Sequence, residues 1–378
     1  MVPYIIADDK IPFLKGVLEP FADIHYLPGN AIGHPDVSRA RALLVRTRTL
    51  CHEQLLHETP VTFIGSATIG YDHIDTRYCE IHQIRWTNAP GCNATSVTQY
   101  IASALFTLAR RHGFQLKNKV LGIVGAGHVG SKVEQLARAI GMQVLLNDPP
   151  RARVEGPQKF VGLETLLGES DMVTLHVPLT LQGIDTTYHL IGPRQIRRMN
   201  PRAWLINTSR GPVVDQKALT VALQEKKIAG AVLDVWENEP ALDAGLLPLT
   251  DIATPHIAGY SADGKANGTA MVVRALALHF GLPLMEWYPP QIPLPGETLF
   301  RIDGRLKTTE EIVGEAVIKS YDICNDDARL RSDPAGFEQQ RETYPLRREF
   351  PVFEARLTNC LPDAIKILKN LGFKTTPI

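Results

Sequence analysis

Three short polar runs hold the residues best suited to chemistry: Asn207-Thr208-Ser209-Arg210-Gly211, Asp234-Val235-Trp236-Glu237-Asn238-Glu239-Pro240 and Thr254-Pro255-His256-Ile257-Ala258-Gly259-Tyr260. An arginine, a carboxylate and a histidine together suit the oxidation of a 2-hydroxy acid, in which a hydroxyl proton is removed as hydride departs. A histidine titrates near neutrality and can take that proton. A carboxylate beside it orients the imidazole and favours its protonated form, while an arginine can grip the substrate carboxylate as a two-pronged fork. His256 is therefore read as the acid/base, Glu239 as its partner and Arg210 as the carboxylate clamp. Singly, each has an ordinary alternative: Arg210 as a surface pair, Glu239 as a loop charge, His256 as a buried turn residue. Their shared position sets them apart. Each run follows an apolar segment readable as a strand, at 203–207, 229–234 and 251–254, and open parallel sheets bind ligands beyond the carboxyl ends of their strands.

A second group precedes these. Val120-Leu121-Gly122-Ile123-Val124 reads as a buried strand running directly into Gly125-Ala126-Gly127-His128-Val129-Gly130. Val129, Val133, Leu136, Ala137 and Ile140 then form one helical stripe, closed by Gly141, and a strand at 143–147 ends at Asp148. Strand, glycine turn, helix and acid in this order make a dinucleotide site. Gly125 permits the tight turn, Gly127 lets backbone approach a pyrophosphate, and Gly130 lets helix and strand pack closely. His128 and Val129 offer backbone amides at the helix N-terminus. Asp148 can accept from both ribose hydroxyls and would repel the extra phosphate of NADP, so NAD is expected; Arg151 and Arg153 nearby argue the other way.

The elements needed to position these groups are legible on both sides. Runs at 4–7, 42–45 and 61–64 read as buried strands of a small parallel α/β unit. Val97, Ile101, Ala104, Leu105 and Leu108 recur at helical spacing, with Asn93 or Thr95 available as cap. Strand and helix then alternate to about residue 254, a helix runs from about 261 to 280, and 289–295 is a Pro-rich strap. In the tail, Thr308-Thr309-Glu310-Glu311 starts one helix, and Pro362 with Gly372 brackets another. The expected class is α/β with two doubly wound parallel sheets and a small α+β unit at the C-terminus.

With 378 residues and a 44% hydrophobic fraction, the chain can build two or three cores. Lys+Arg and Asp+Glu balance at 40 each, leaving no field to attract nucleic acid or an anionic membrane. The five cysteines show no CxxC spacing, so no metal site is expected and reduced thiols in a cytoplasmic compartment fit. The start, Met1-Val2-Pro3-Tyr4-Ile5-Ile6-Ala7-Asp8-Asp9, turns acidic too early for a secretory signal.

On these motifs the chain resembles the D-2-hydroxyacid dehydrogenase family over roughly residues 1–285. The resemblance implies an NAD-binding Rossmann domain at 96–257 and a discontinuous, flavodoxin-like substrate domain at 1–95 and 258–285. It places Arg210, Glu239 and His256 in the roles assigned above, and adds Thr208, Asp234 and Gly259 as cofactor contacts. Many relatives carry a polar residue where this chain has Val177. Within the family, the runs Leu44–Thr49, Gly65–Asp75 and His256–Tyr260 resemble the branch that oxidises 4-phospho-D-erythronate in vitamin B6 synthesis. That likeness implies substrate contacts from Thr47, Thr68 and Tyr260, and a homodimer formed through the tail at 286–378. Thr47 and Thr68 follow predicted strands, so their hydroxyls can face an interdomain cleft; Arg46 or Arg48 could meet a terminal phosphate. Arg347-Arg348 is a weaker candidate, for reaching a partner's cleft. The rival readings are a relative acting on 3-phosphoglycerate and a non-catalytic NAD sensor of the corepressor type.

Overall fold

The computed structural model describes residues 2–377. The chain forms two compact units, Met1–Asn93 with Ser261–Pro293, and Ala94–Tyr260 with Leu294–Ile378.

In the first unit, strands β1 (Tyr4–Asp8), β2 (Asp23–Leu27), β3 (Ala42–Val45), β4 (Phe63–Ser66) and β5 (Arg85–Thr87) form a parallel sheet in the order β2-β1-β3-β4-β5. The central strands β3 and β4 are fully buried and, but for Ser66 at the end of β4, without polar side chains, as parallel strands covered on both faces are. On one face the helix Ala262–Phe280 packs Val272, Val273 and Leu276 against Ile5, Ala7, Leu44 and Phe63. Gly65 allows this approach, since a Cβ there would lie 2.5 Å from Val272 Cγ1. The helix is capped by Ser261, whose hydroxyl accepts from the Gly264 amide at 2.8 Å, and ends at left-handed Gly281.

The second unit carries β6 (Val120–Val124), β7 (Gln143–Asn147), β8 (Met172–Leu175), β9 (Trp204–Asn207), β10 (Gly230–Leu233) and β11 (Ile252–Ala253). They form a parallel sheet in the order β11-β10-β9-β8-β6-β7. The strand order reverses beside β6, which places a ligand crevice over the carboxyl ends of β6 and β8.

The tail, read above as a third unit, shares this core. Its strands β12 (Leu299–Asp303), β13 (Glu354–Thr358) and β14 (Lys374–Pro377) pair in parallel, with helices between them. The helix Ala94–His112 is buried on nearly every face, because it lies between the dinucleotide-type sheet and the tail. Phe106 packs on the tail helix Thr309–Ser320 where Gly314 leaves room, a Cβ there falling 2.8 Å from the Phe106 ring. Ser103 Oγ donates to the Tyr321 carbonyl at 2.8 Å and accepts from the Ile323 amide at 3.1 Å. The helix expected to start at 308–311 opens with a capping box, Glu311 returning to the Thr308 amide at 2.7 Å. Among the described residues no helix is long and apolar enough to cross a membrane.

Candidate active site

The glycine turn after β6 has two glycines required by the chain itself and one required by no neighbour. Gly125 has φ +88°, and a Cβ on it would lie 2.7 Å from the His176 carbonyl oxygen. A Cβ on Gly130 would lie 2.0 Å from the Gly125 carbonyl oxygen. Gly127, the N-cap of helix His128–Ala139, has nothing within 4 Å of the Cβ position. Open space beside a helix N-terminus, with the His128 and Val129 amides in its first turn, fits a dinucleotide pyrophosphate.

Asp148 does more than sequence reasoning foresaw. Its Oδ2 accepts from the Ala126 amide at 2.9 Å and its Oδ1 from the Arg151 amide at 3.0 Å. It thus caps the helix Pro149–Glu155 and ties down the glycine turn, while each oxygen keeps a lone pair for a ribose hydroxyl. Arg151 is held by Glu155 in a fork, with Nε–Oε1 2.6 Å and Nη2–Oε2 2.8 Å, and it also donates to the Ala126 carbonyl. Arg153 pairs with Asp185. Both arginines that favoured NADP therefore have carboxylate partners. Asp148→Asn is expected to weaken NAD roughly tenfold, the effect of one charge-assisted hydrogen bond, and to narrow the NAD/NADP ratio. Initial rates with both cofactors check this; an unchanged ratio would contradict it.

His176 closes the floor below the turn. Its Nε2 lies 3.0 Å from Thr174 Oγ1 and its Nδ1 3.4 Å from Thr208 Oγ1. Burial pushes the imidazole down to about 3, so it is neutral at pH 7. A depressed pKa stabilises the folded state above the unfolded value of about 6.5, and that advantage is lost as pH falls from there toward 3. In urea unfolding at pH 7 and pH 4, His176→Gln should lose less stability than the wild type on acidification. Equal losses would show that His176 does not contribute.

The three polar runs converge beyond β9, β10 and β11. Asn207, 1% exposed, accepts from the Ser209 amide at 3.1 Å and hydroxyl at 2.9 Å, and donates to the Arg210 carbonyl at 3.0 Å. This locks the turn that presents Arg210, whose Nη1 donates to the Ser209 carbonyl at 2.8 Å. The run 234–240 offers two glutamates, and the structure separates them. Glu237 pairs with His189 at 2.6 Å, whereas Glu239 Oε2 lies 2.7 Å from His256 Nδ1. Glu239 Oε1 accepts from the Trp236 amide at 2.9 Å. Burial alone would raise the Glu239 carboxyl; His256, the Trp236 amide and the charge of Arg341 together outweigh it and hold the group below its ordinary range. With Nδ1 engaged, His256 has Nε2 left for a substrate hydroxyl.

His256 has φ +56°, a left-handed conformation uncommon outside glycine. Asp234 holds the loop in that form. Its Oδ1 accepts from the Thr254 hydroxyl at 2.6 Å and the Ile257 amide at 2.8 Å, and its Oδ2 from the Ala258 amide at 2.8 Å. Tyr100 donates to Thr254 Oγ1 at 2.7 Å. Burial raises the Asp234 carboxyl against the opposing effect of His256 and these donors. Asp234 thus braces the loop that carries His256, a task beyond the cofactor contact expected of it. Gly259 and Tyr260 follow on the same loop, with Tyr260 edge-on to Tyr344 at 5.8 Å.

Sequence reasoning missed three residues here. Trp236 staples the runs together, its indole donating to the Thr254 carbonyl at 3.0 Å. Gly211 lies so close to it that a Cβ would fall 2.0 Å from the Trp236 carbonyl carbon and oxygen. Arg341, from the tail, stands over the Tyr260 ring at 5.8 Å and pairs with Glu338 at 3.0 Å. A tryptophan between two acids was a visible signal; the glycine and the distant arginine carried none. Among the described residues no group of three or more His, Cys, Asp or Glu side chains could hold a metal ion.

The remaining candidates belong to the first unit. Thr47 follows β3 and Thr68 follows β4, and these strands pair with Val45 opposite Ser66. Both hydroxyls therefore sit at one carboxyl edge. Thr68 Oγ1 lies 2.8 Å from Ser66 Oγ and donates to the Gly70 carbonyl at 3.1 Å. Arg46 points Nε and Nη2 at buried Asp8, at 3.1 and 3.2 Å. The fork proposed for a phosphate is thus engaged with the carboxylate at the end of β1.

The D-isomer specific 2-hydroxyacid dehydrogenase NAD binding domain matches residues 94–258, and a domain of unknown function matches 294–372. Erythronate-4-phosphate dehydrogenase of Porphyromonas gingivalis is 44% identical, covering 98% of this chain and 99% of that protein. The protein of the same name from Azotobacter vinelandii is 42% identical over 97% of this chain and 98% of its own length. Among solved structures, D-lactate dehydrogenase of Aquifex aeolicus with NAD and lactic acid is 27% identical, with a TM-score of 0.61 over 74% of this chain and 96% of that one. The cofactor is NAD, and the chemistry is that of a 2-hydroxyacid dehydrogenase. The chain belongs to the erythronate-4-phosphate dehydrogenase branch of the D-isomer specific 2-hydroxyacid dehydrogenase family.

Proposed function

We propose that this protein oxidises 4-phospho-D-erythronate at C2 to 3-hydroxy-2-oxo-4-phosphooxybutanoate, in the synthesis of pyridoxal 5'-phosphate. The end-to-end likeness to erythronate-4-phosphate dehydrogenases carries the substrate assignment. The 2.7 Å contact between His256 and Glu239 carries the chemistry.

NAD, held beside the carboxyl ends of β6 and β8, would supply the hydride acceptor for C2. His256 Nε2 takes the hydroxyl proton, so the C2–H and O–H bonds give way to a carbonyl, and Glu239 stabilises the imidazolium through Nδ1–H. Arg210 holds the substrate carboxylate and polarises the developing carbonyl. The turn Gly125–Gly130, shaped by Gly125 and Gly130 and left open at Gly127, would hold the pyrophosphate with the His128 and Val129 amides, Asp148 would hold the ribose, and Thr208, Asp234 and Gly259 would hold the nicotinamide side. Thr47, Thr68 and Tyr260 contact the substrate, and the basic loop carrying Arg46 and Arg48 meets its phosphate. Because Arg46 is paired with Asp8, its share is to shape that loop as well as to add charge.

NADH formation with 4-phosphoerythronate, 3-phosphoglycerate and unphosphorylated erythronate, using a trap for the oxo product, tests the reading. Selective turnover of 4-phosphoerythronate is expected. Preference for 3-phosphoglycerate would overturn the substrate while keeping the reaction, and NADH binding without turnover of any of them would favour a sensor. The protein works as a cytoplasmic homodimer joined through its tail. Five cysteines without CxxC spacing support a reducing compartment, and sedimentation velocity of the whole chain checks the dimer, a monomer being the contrary result.

A further inference from the structure

The two residues after His256 are gripped at both their backbone groups. Asp234 takes their N–H groups, accepting from Ile257 and Ala258 at 2.8 Å each. Their carbonyls are taken by Arg347, which stands some 90 residues later in the chain: Nη1 donates to the Ile257 carbonyl at 3.4 Å, and Nη2 donates to that of Ala258. Nη2 also reaches the Ser96 carbonyl at 3.2 Å, tying the loop to the start of helix Ala94–His112.

The guanidinium is built in. Arg347 is 6% exposed and lies over the Tyr321 ring at 4.4 Å. Buried Asp326 supplies negative charge nearby and accepts from the hydroxyls of Tyr321 at 2.8 Å and Tyr344 at 2.7 Å. Buried backbone carbonyls need donors, but this arrangement does more than satisfy them. With φ +56°, His256 sits in a conformation that its own backbone disfavours. Relaxing that conformation would shift the residues that follow, and such a shift draws the Ile257 and Ala258 carbonyls away from Arg347.

We propose that Arg347 is a positioning residue for catalysis: the C-terminal segment holds His256 in its reactive orientation, within the same chain, by fixing the carbonyls of Ile257 and Ala258. It acts through the loop and not on the substrate. Its inward aim accounts for it better than a reach toward a partner's cleft. The inference rests on the acid/base reading of His256, whose failure shows separately as turnover retained by His256→Asn.

The test compares Arg347→Met and Arg347→Lys with Arg331→Met. Arg331 also donates to backbone carbonyls in this unit, those of Leu247 at 2.9 Å and Thr250 at 2.8 Å, but away from the catalytic loop. The readouts are the single-turnover rate of NADH formation per NADH-binding site, the NADH dissociation constant and the melting temperature. Arg347→Met should lower the rate per site at least thirtyfold with NADH affinity within threefold of wild type. Arg347→Lys, which keeps the charge and part of the donor set, should recover part of that loss. Arg331→Met should lower the melting temperature with the rate per site unchanged. A purely structural Arg347 would reduce the number of binding sites and leave the rate per site intact, overturning the proposal. Should Arg347→Met not fold, a wild-type rate per site in Arg347→Lys would overturn it equally.

Discussion

Replacing His256 by Asn is expected to leave a folded, NAD-binding protein with a kcat at least about a thousandfold below wild type. General acid–base catalysis by a positioned side chain is worth roughly 10²–10⁴ in rate, and asparagine offers no titratable nitrogen in its place. Asparagine is also among the residues that best tolerate a left-handed backbone, so φ +56° at this position need not change. Glu239 loses the partner that helps hold its carboxyl down, but its Oε1 keeps the Trp236 amide. Steady-state kinetics beside NADH titration separate the two effects. A kcat within tenfold of wild type would remove the acid/base assignment.

The second large effect is expected from two glycines treated alike. Alanine at Gly211 places its Cβ 2.0 Å from the Trp236 carbonyl carbon and oxygen and 2.5 Å from the Glu237 nitrogen, all of them backbone. Neither run can yield cheaply, because Trp236 is 2% exposed and anchored on Thr254. Overpacking of this kind costs about 1–3 kcal/mol and sometimes more. A displacement of about 1 Å at catalytic groups costs on the order of a hundredfold in rate, and the moving parts here carry Arg210 and Glu239. Gly211→Ala should therefore lower both melting temperature and kcat/KM, the latter at least about a hundredfold. Gly127→Ala meets nothing within 4 Å and should melt like wild type. It should nonetheless weaken NADH, because the added methyl enters space that a pyrophosphate needs. Thermal unfolding and NADH titration of both variants test the contrast. A stable, active Gly211→Ala would contradict the close packing of the two runs, and unchanged NADH affinity in Gly127→Ala would contradict the phosphate position.

The parts of the fold legible in the sequence are those where a single physical demand dominates. Ala42–Val45 and Val120–Val124 fall where apolar runs required them, since central parallel strands tolerate few polar residues. Edge strands escape that demand. Asp23–Leu27 and Arg85–Thr87 border their sheet, are half exposed and carry no apolar run to mark them as strands. Of the tail strands, β12 and β13 alternate buried with more exposed residues and β14 buries none, all over five positions or fewer, too short to separate from irregular chain. The tail's place beside helix Ala94–His112 was also hidden, because a helix buried on all faces does not announce two partners.

The site divides along similar lines. Gly125, Gly127 and Gly130 sit in a local motif, and locality makes their geometry readable. Glu239 is assigned to His256 from the sequence, but that Glu237 in the same run meets His189 instead is a tertiary fact. Arg46 shows the converse. A basic residue after a strand suggests an anion site, yet its partner is Asp8, 38 residues away at the end of another strand. Arg341 and Arg347 reach the catalytic loop from the tail, and no spacing rule connects them to it.

The central claim is hydride transfer from C2 of a phosphorylated hydroxy acid to NAD. Its most direct test is turnover of 4-phospho-D-erythronate deuterated at C2, with the label followed into the cofactor. We predict deuterium in the NADH formed, a slowed single-turnover rate relative to protiated substrate, and no labelled NADH from the His256→Asn variant on the same timescale. NADH that forms without deuterium, or bound NAD that stays oxidised in the presence of this substrate, would contradict the account.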